Sequence, residues 1–150
     1  MPDLSGRAPA DELEALYREV VLEHYRHPRH RVPLAQPSGA STVVNPICGD
    51  QVQVEVALAD ARIADVSARA RGCSIAVASG SVMTELVLGG TPAEARALGD
   101  VLARVVRGES VPVEVDARVR AFARVAALPS RQRCATLAWE ALAAALDGAG

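Results

Sequence analysis

Lysine is absent from this chain, so apart from the histidines all sixteen basic side chains are arginine. That composition follows from the coding bias of a GC-rich genome, and it excludes Schiff-base chemistry on a lysine amine. Aromatic residues are scarce: one tryptophan, one phenylalanine and two tyrosines. The core must therefore be aliphatic. No apolar run reaches membrane-spanning length, and residues 1–10 lack the basic-then-apolar order of a signal peptide. The net charge of −2 and the lack of any arginine-rich run give a nucleic-acid or membrane role no footing. A cytoplasmic protein is expected. In that reducing compartment its three cysteines point to metal binding, catalysis or burial rather than a disulfide framework.

A chain of 150 residues is long enough for one domain with its own core. Residues 1–10, polar and containing Pro and Gly, read as a mobile leader to a domain over 11–150. Asp11 to about Arg26 has helical periodicity, with Leu13, Leu16, Tyr17, Val20 and His24 on one face. Period-two alternation follows: Val52, Val54, Val56 and Leu58 predict a strand with one buried face. After the short turn 59–62, a second strand places Ala64, Val66, Ala68 and Ala70 inward, and Ser41 to Asn45 adds an earlier strand. From Ser74 the period is helical, to a stop at Gly89-Gly90. Thr91-Pro92-Ala93-Glu94 is a capping-box start for a helix to about Arg107. Further helices are expected over Glu114–Ala127 and, capped by Ser130, from after Pro129 to about Leu146. Strands first and helices after predict an α+β fold: a small antiparallel sheet of about three strands with helices packed on one face.

Cys48-Gly49-Asp50 sits in a Pro/Gly loop just after Asn45-Pro46, where core residues are uncommon. Cys73 follows Gly72 immediately before a helix, and Cys134 lies in the first turns of the last one, near Arg131 and Arg133. Three thiols and one carboxylate make a tetrahedral zinc set. Each cysteine taken singly also reads as a small buried hydrophobe, Cys134 above all, in register with Leu137, Ala138, Ala141 and Leu142. Both readings stand on the residues alone. Arg131, one helical turn before Cys134, is either a solvated arginine or a group that steadies a thiolate or persulfide. His24, His27 and His30 have a spacing that suits metal, but cations at a helix C-terminus or partner-facing polar groups are the commoner use.

Three stretches carry a resemblance: Asn45-Pro-Ile-Cys-Gly-Asp50, Gly72-Cys-Ser-Ile-Ala-Val-Ala-Ser-Gly-Ser-Val-Met-Thr84 and Cys134-Ala-Thr-Leu-Ala-Trp139. They are similar to the three cysteine blocks of the SufU proteins, within the wider IscU-like (NifU N-terminal) superfamily. The opening Leu16-Tyr17-Arg18-Glu19-Val20, with His24-Tyr25 and Pro28-Arg29, is similar too, so the likeness covers nearly everything after the leader. Scaffolds of the IscU type carry a histidine just before the third cysteine, where this chain has Arg133. Their Leu-Pro-Pro-Val-Lys motif is replaced by Leu128-Pro129-Ser130-Arg131-Gln132, and the segment around Gly108 to Ala127 resembles the SufU insertion.

The resemblance implies a zinc-dependent sulfurtransferase that takes persulfide sulfur from a SufS-type cysteine desulfurase. The sulfur would pass to downstream Suf scaffold components for iron–sulfur cluster assembly. It implies zinc on Cys48, Asp50, Cys73 and Cys134, with Cys48 as the sulfur acceptor and Arg131 assisting. The chief alternative is a scaffold that builds a [2Fe–2S] cluster on the same ligands, since thiolates suit both metals. A purely structural zinc domain is the third reading, disfavoured by the single oxygen ligand.

Overall fold

The computed structural model describes residues 10–112 and 114–149. Residues 1–9, most of the expected leader, lie outside the described residues. Helix α1 spans Ala10–Arg26, followed by strands β1 (Gly39–Val44), β2 (Gln51–Ala59) and β3 (Arg62–Arg71). Helices α2 (Ser74–Val87) and α3 (Pro92–Val106) come next, then the single turn α4 (Ala117–Arg120). Two 3-10 segments, Ala121–Ala127 and Pro129–Arg131, lead into α5 (Gln132–Ala149). The strands form one antiparallel sheet in the order β1-β2-β3. The expected α+β architecture is what is found. Among the described residues no helix is long and apolar enough to cross a membrane.

The alternation of β2 buries Val52, Val54 and Val56 completely on the helical side of the sheet. Helix α5 packs on β1 and β2, while α2 packs on β3 and α5, so α2 is nearly enclosed. Helix α1 lies in an outer layer, against α2 and the 3-10 segment. The other side of the sheet is partly covered by the chain between α1 and β1. There the Leu34 N–H donates to Glu55 Oε1 at 3.3 Å, while the His30 carbonyl accepts the Ala68 N–H at 2.9 Å along the free edge of β3.

Three expectations need correction. In β3, Ala64 is exposed and Ile63 is fully buried instead. The pairing steps from Ala57↔Asp65 to Leu58↔Ile63, so Ala64 is skipped. A bulge of one residue reverses the facing of everything on one side of it. The helix expected over Glu114–Ala127 is a turn of α-helix capped by Asp116, followed by 3-10 structure. Its larger buried residues Val119, Phe122 and Val125 recur every third position, the period of a 3-10 helix, and Ala121 is buried beside them. Ser130 does not cap α5. It lies inside the second 3-10 segment, and α5 runs from Gln132 to Ala149. The capping box of α3 is present as expected, with Glu94 N–H donating to Thr91 Oγ1 at 3.1 Å.

Two buried polar groups tie the helices together. Trp139 Nε1–H donates to Ser79 Oγ at 3.2 Å, and Ser79 Oγ donates to the Ala135 carbonyl at 2.5 Å, joining α2 to α5. His24, 4 % exposed, joins α1 to α2: Nδ1 lies 2.7 Å from Ser81 Oγ and Nε2 lies 3.4 Å from Glu85. Ser81 Oγ also accepts the Arg29 N–H at 2.9 Å, which leaves its own proton for Nδ1. Burial holds the His24 imidazole below its ordinary pKa, the Arg29 guanidinium reinforces this, and Glu85 opposes it.

Ser79→Ala strands the buried indole N–H and should cost about 1–3 kcal/mol, read as a lower denaturant midpoint with unchanged slope. Ser79→Thr, which keeps the hydroxyl, should lose less. For His24 the sign follows from its depressed folded pKa against an unfolded value near 6.5. Its contribution is complete above the unfolded value and is lost as pH falls through the folded one. Melting temperature should therefore fall on going below about pH 6.5, and less steeply in His24→Gln. Equal pH slopes for parent and variant would contradict this.

Candidate metal centre

The β1–β2 connection is built on Asn45. Its side chain is buried, Oδ1 accepts the Ile47 N–H at 3.1 Å, and its carbonyl accepts the Gly49 N–H at 2.7 Å. The Asn45 N–H donates to the Asp50 carbonyl at 2.8 Å, closing the loop at its base. Gly49 takes φ +79°, in the left-handed region that glycine enters freely. Pinned in this way, the loop pushes Ile47 (93 % exposed) and Cys48 into solvent, while Asp50 at its root is 6 % exposed.

Cys73 stands at the β3–α2 junction as the residue before the first turn of α2, half-buried and with extended backbone. Cys134 is fully buried in the first turn of α5. Sheet and helices bring these distant positions together. The donor atoms of Cys48, Asp50 and Cys134 all lie within 4.8 Å of one another. Cys73 stands outside that mutual distance but touches two of the three, Asp50 and Cys134.

The electrostatics follow from this packing. Burial works to raise the Asp50 pKa, but the adjacent thiols of Cys73, Cys134 and Cys48 and the Cys73 amide favour the charged form and outweigh it, so the carboxyl is held below its ordinary range. Burial pushes the Cys134 thiol far up, and the neighbouring Cys73 and Asp50 add to the shift. Arg131 is exposed, and the nearby sulfurs of Cys73 and Cys134 strengthen its hold on its proton. Asp50 Oδ2 is buried without a hydrogen-bond partner. A buried anionic oxygen left unpaired among three sulfur donors is the pattern of a donor set suited to a cation. The residues fit zinc in chemistry as well as in number.

The other sequence candidates fall elsewhere. Arg133 turns away to Glu140, 3.4 Å distant. His24 is committed to Ser81 and Glu85, and His27 and His30 are exposed. None of the three joins a metal-binding group among the described residues. Sequence reasoning passed over Asn45 and Gly72 as parts of the site. The Asn-Pro pair was a legible turn signal. Gly72, directly before a cysteine at a strand–helix junction, takes φ +147°, which L side chains rarely adopt.

The chain matches the family model of the NifU-like N terminal domain over residues 16–148. It is 36 % identical over 138 residues to the iron-sulfur cluster assembly scaffold protein IscU of Streptococcus pyogenes serotype M1, covering 90 % of this chain and 85 % of that one. It is 32 % identical over 131 residues to the zinc-dependent sulfurtransferase SufU of Bacillus subtilis (strain 168), covering 87 % and 88 %. Among solved structures, a nitrogen-fixing NifU-like protein (N-terminal) from Brucella abortus superposes with a TM-score of 0.82 at 26 % identity, over 91 % of this chain and 96 % of that one. A protein described as an iron-sulfur cluster assembly scaffold for the SUF system, from Fervidobacterium islandicum AW-1, gives a TM-score of 0.80 at 26 % identity over 89 % and 98 %. With its sheet, its helices and nearly its whole length in common with these proteins, the chain belongs to the NifU-like N-terminal family, whose members include SufU and IscU proteins.

Proposed function

We propose that this protein is a zinc-dependent sulfurtransferase, accepting persulfide sulfur on Cys48 from a SufS-type cysteine desulfurase in the cytoplasm. The sulfur then goes to Suf scaffold components for iron–sulfur cluster assembly. The observation that carries the proposal is the meeting of Cys48, Asp50 and Cys134 within 4.8 Å around a buried carboxylate oxygen with no partner. Cys73, in contact with Asp50 and Cys134, completes a set of three thiolates and one carboxylate. The Bacillus subtilis relative supports this reading by its zinc dependence and its activity. So does Arg133, which stands where scaffolds of the other type have histidine.

Zinc, when bound, keeps its thiolate ligands deprotonated near neutral pH and brings no redox chemistry of its own. The protein's residues divide the remaining work. Cys48 is exposed on a loop, whereas Cys73 and Cys134 are fixed at the starts of two packed helices, so Cys48 is the thiol able to meet a partner. Its thiolate attacks the terminal sulfur of the desulfurase persulfide. A new S–S bond forms on Cys48 as the old one breaks, and the desulfurase cysteine leaves as thiolate and takes a proton from solvent. The step is an exchange, so no external oxidant or reductant is consumed. Arg131, always charged, lies against Cys73 and Cys134 and offsets the negative charge of the set.

A second reading, a scaffold for a [2Fe–2S] cluster on the same residues, draws on the Streptococcus pyogenes relative. Metal analysis beside the visible spectrum separates the two. Protein purified without added metal should hold about one zinc per chain and be colourless; brown iron–sulfur absorption would favour the scaffold.

Metal should stabilise the fold, because its ligands come from a loop, a strand–helix junction and the last helix. At free zinc one hundred times the dissociation constant, binding to the native state alone adds about 2.7 kcal/mol. Stripping it should lower the melting temperature by about 5–10 °C in a chain of this size. An unchanged melt after complete removal would reject the assignment. Incubation with desulfurase and cysteine should add one sulfur to Cys48, located by peptide mass spectrometry, and Cys48→Ser should abolish the adduct. Sulfur found on Cys73 or Cys134 of the parent, with Cys48 unmodified, would overturn the choice of acceptor.

A further inference from the structure

Gly72 and Asp50 lie side by side just beyond the end of the β2–β3 ladder, whose last pair is Gln51↔Arg71. A methyl group placed on the Gly72 Cα would fall on Asp50 Oδ1 and Cγ, with Asp50 Cβ only 2.9 Å away. The carboxylate thus occupies the volume that any other residue at 72 would need for its own side chain. One edge of Asp50 rests on bare backbone while Oδ2, buried and unpartnered, remains available among the thiols. By contrast, the Cβ position of Gly49 meets nothing within 4 Å, so its glycine serves the turn alone.

We infer that Gly72 is a positioning residue: its missing side chain is the seat that lets Asp50 enter the donor set beside Cys48, Cys73 and Cys134. The inference rests on the ligand set proposed above. It makes the identity of residue 72 a determinant of the metal environment, although Gly72 offers no ligand atom. A side chain at 72 ejects the carboxylate and leaves the three thiols in place. The site then passes from three sulfurs and one oxygen to three sulfurs and whatever solvent or partner group fills the gap.

The test is a double-mutant cycle on the whole protein: parent, Gly72→Ala, Asp50→Gly, and the two combined. Zinc affinity is measured by competition with a chromophoric chelator, and the coordination sphere by the visible bands of the cobalt(II)-loaded protein. Gly72→Ala should weaken zinc binding about 10- to 100-fold, as loss of a group that orients a ligand does, and Asp50→Gly, which removes the ligand itself, at least as much. Both should show the same altered cobalt spectrum. The combined variant should bind zinc no more weakly than Asp50→Gly alone, because the collision it would have caused is gone. A Gly72→Ala protein with the parent spectrum and affinity would overturn the inference. Additive losses in the combined variant would do the same, since Gly72 would then act on the thiols or the fold. If Gly72→Ala fails to fold, recovery of folding in the combined variant supports the seat. A combined variant that also fails assigns the cost to the φ of +147° and refutes it. Parent-like cobalt bands in Asp50→Gly would instead remove Asp50 from the ligand set itself, a separate result from a silent Gly72→Ala.

Discussion

Burying a carboxylate costs several kcal/mol unless its charge is answered, and Asp50 is buried where three distant parts of this fold meet. The hairpin loop delivers it, the β3–α2 junction flanks it, and the first turn of α5 closes over it. The answer to the charge is partial within the chain: the neighbouring thiols and the Cys73 amide, plus the Arg131 guanidinium near the two helix-borne thiols. The aliphatic core beneath fixes these groups in place. Val52 and Val54, one turn of the pleat below Asp50, are sealed by α5, and the Ser79–Ala135 hydrogen bond locks the helix that carries Cys134 to the helix that Cys73 precedes. The core builds a frame around this buried charge.

Much of this was legible in the residues. Period-two burial in 51–58, the capping box at Thr91 and the glycine stop after α2 each rest on local chemistry that a sequence displays directly. Three misreadings share a different origin. The bulge at Ala64 depends on strand pairing, and nothing in an alternating Ala/Val run says which alanine will be skipped. The segment after Asp116 reads as α-helix because spacings of three serve both helix types, and the fourth position alone separates them. Ser130 has the chemistry of a cap but sits within a 3-10 turn begun by Pro129.

The site was legible to a different depth. Cysteines and an aspartate announce themselves by type, and the resemblance supplied their grouping. Their unequal placement was not visible: Cys48, Asp50 and Cys134 form the tight trio, and Cys73 stands at its edge. Gly72 was invisible as a site residue, since its contribution is an absence of atoms that only packing reveals. Arg131 and Arg133 look interchangeable in the sequence, yet one lies on the thiols and the other on Glu140. They stand two residues apart where the 3-10 turn passes into α5, which turns their side chains about 200° from one another.

The hydrogen bonds that close the hairpin loop at Asn45 and Asp50 also set a tether. Only the residues numbered 46 to 49 lie between the pinned ends, so the tip can travel no more than about 7 Å, half the extended length of four residues. That is shorter than the swinging arm of a lipoyl or biotinyl carrier. For the sulfur transfer proposed above, such a tether would hold any cargo on Cys48 to contact range, so that a donor would have to bring its sulfur to the rim of this protein.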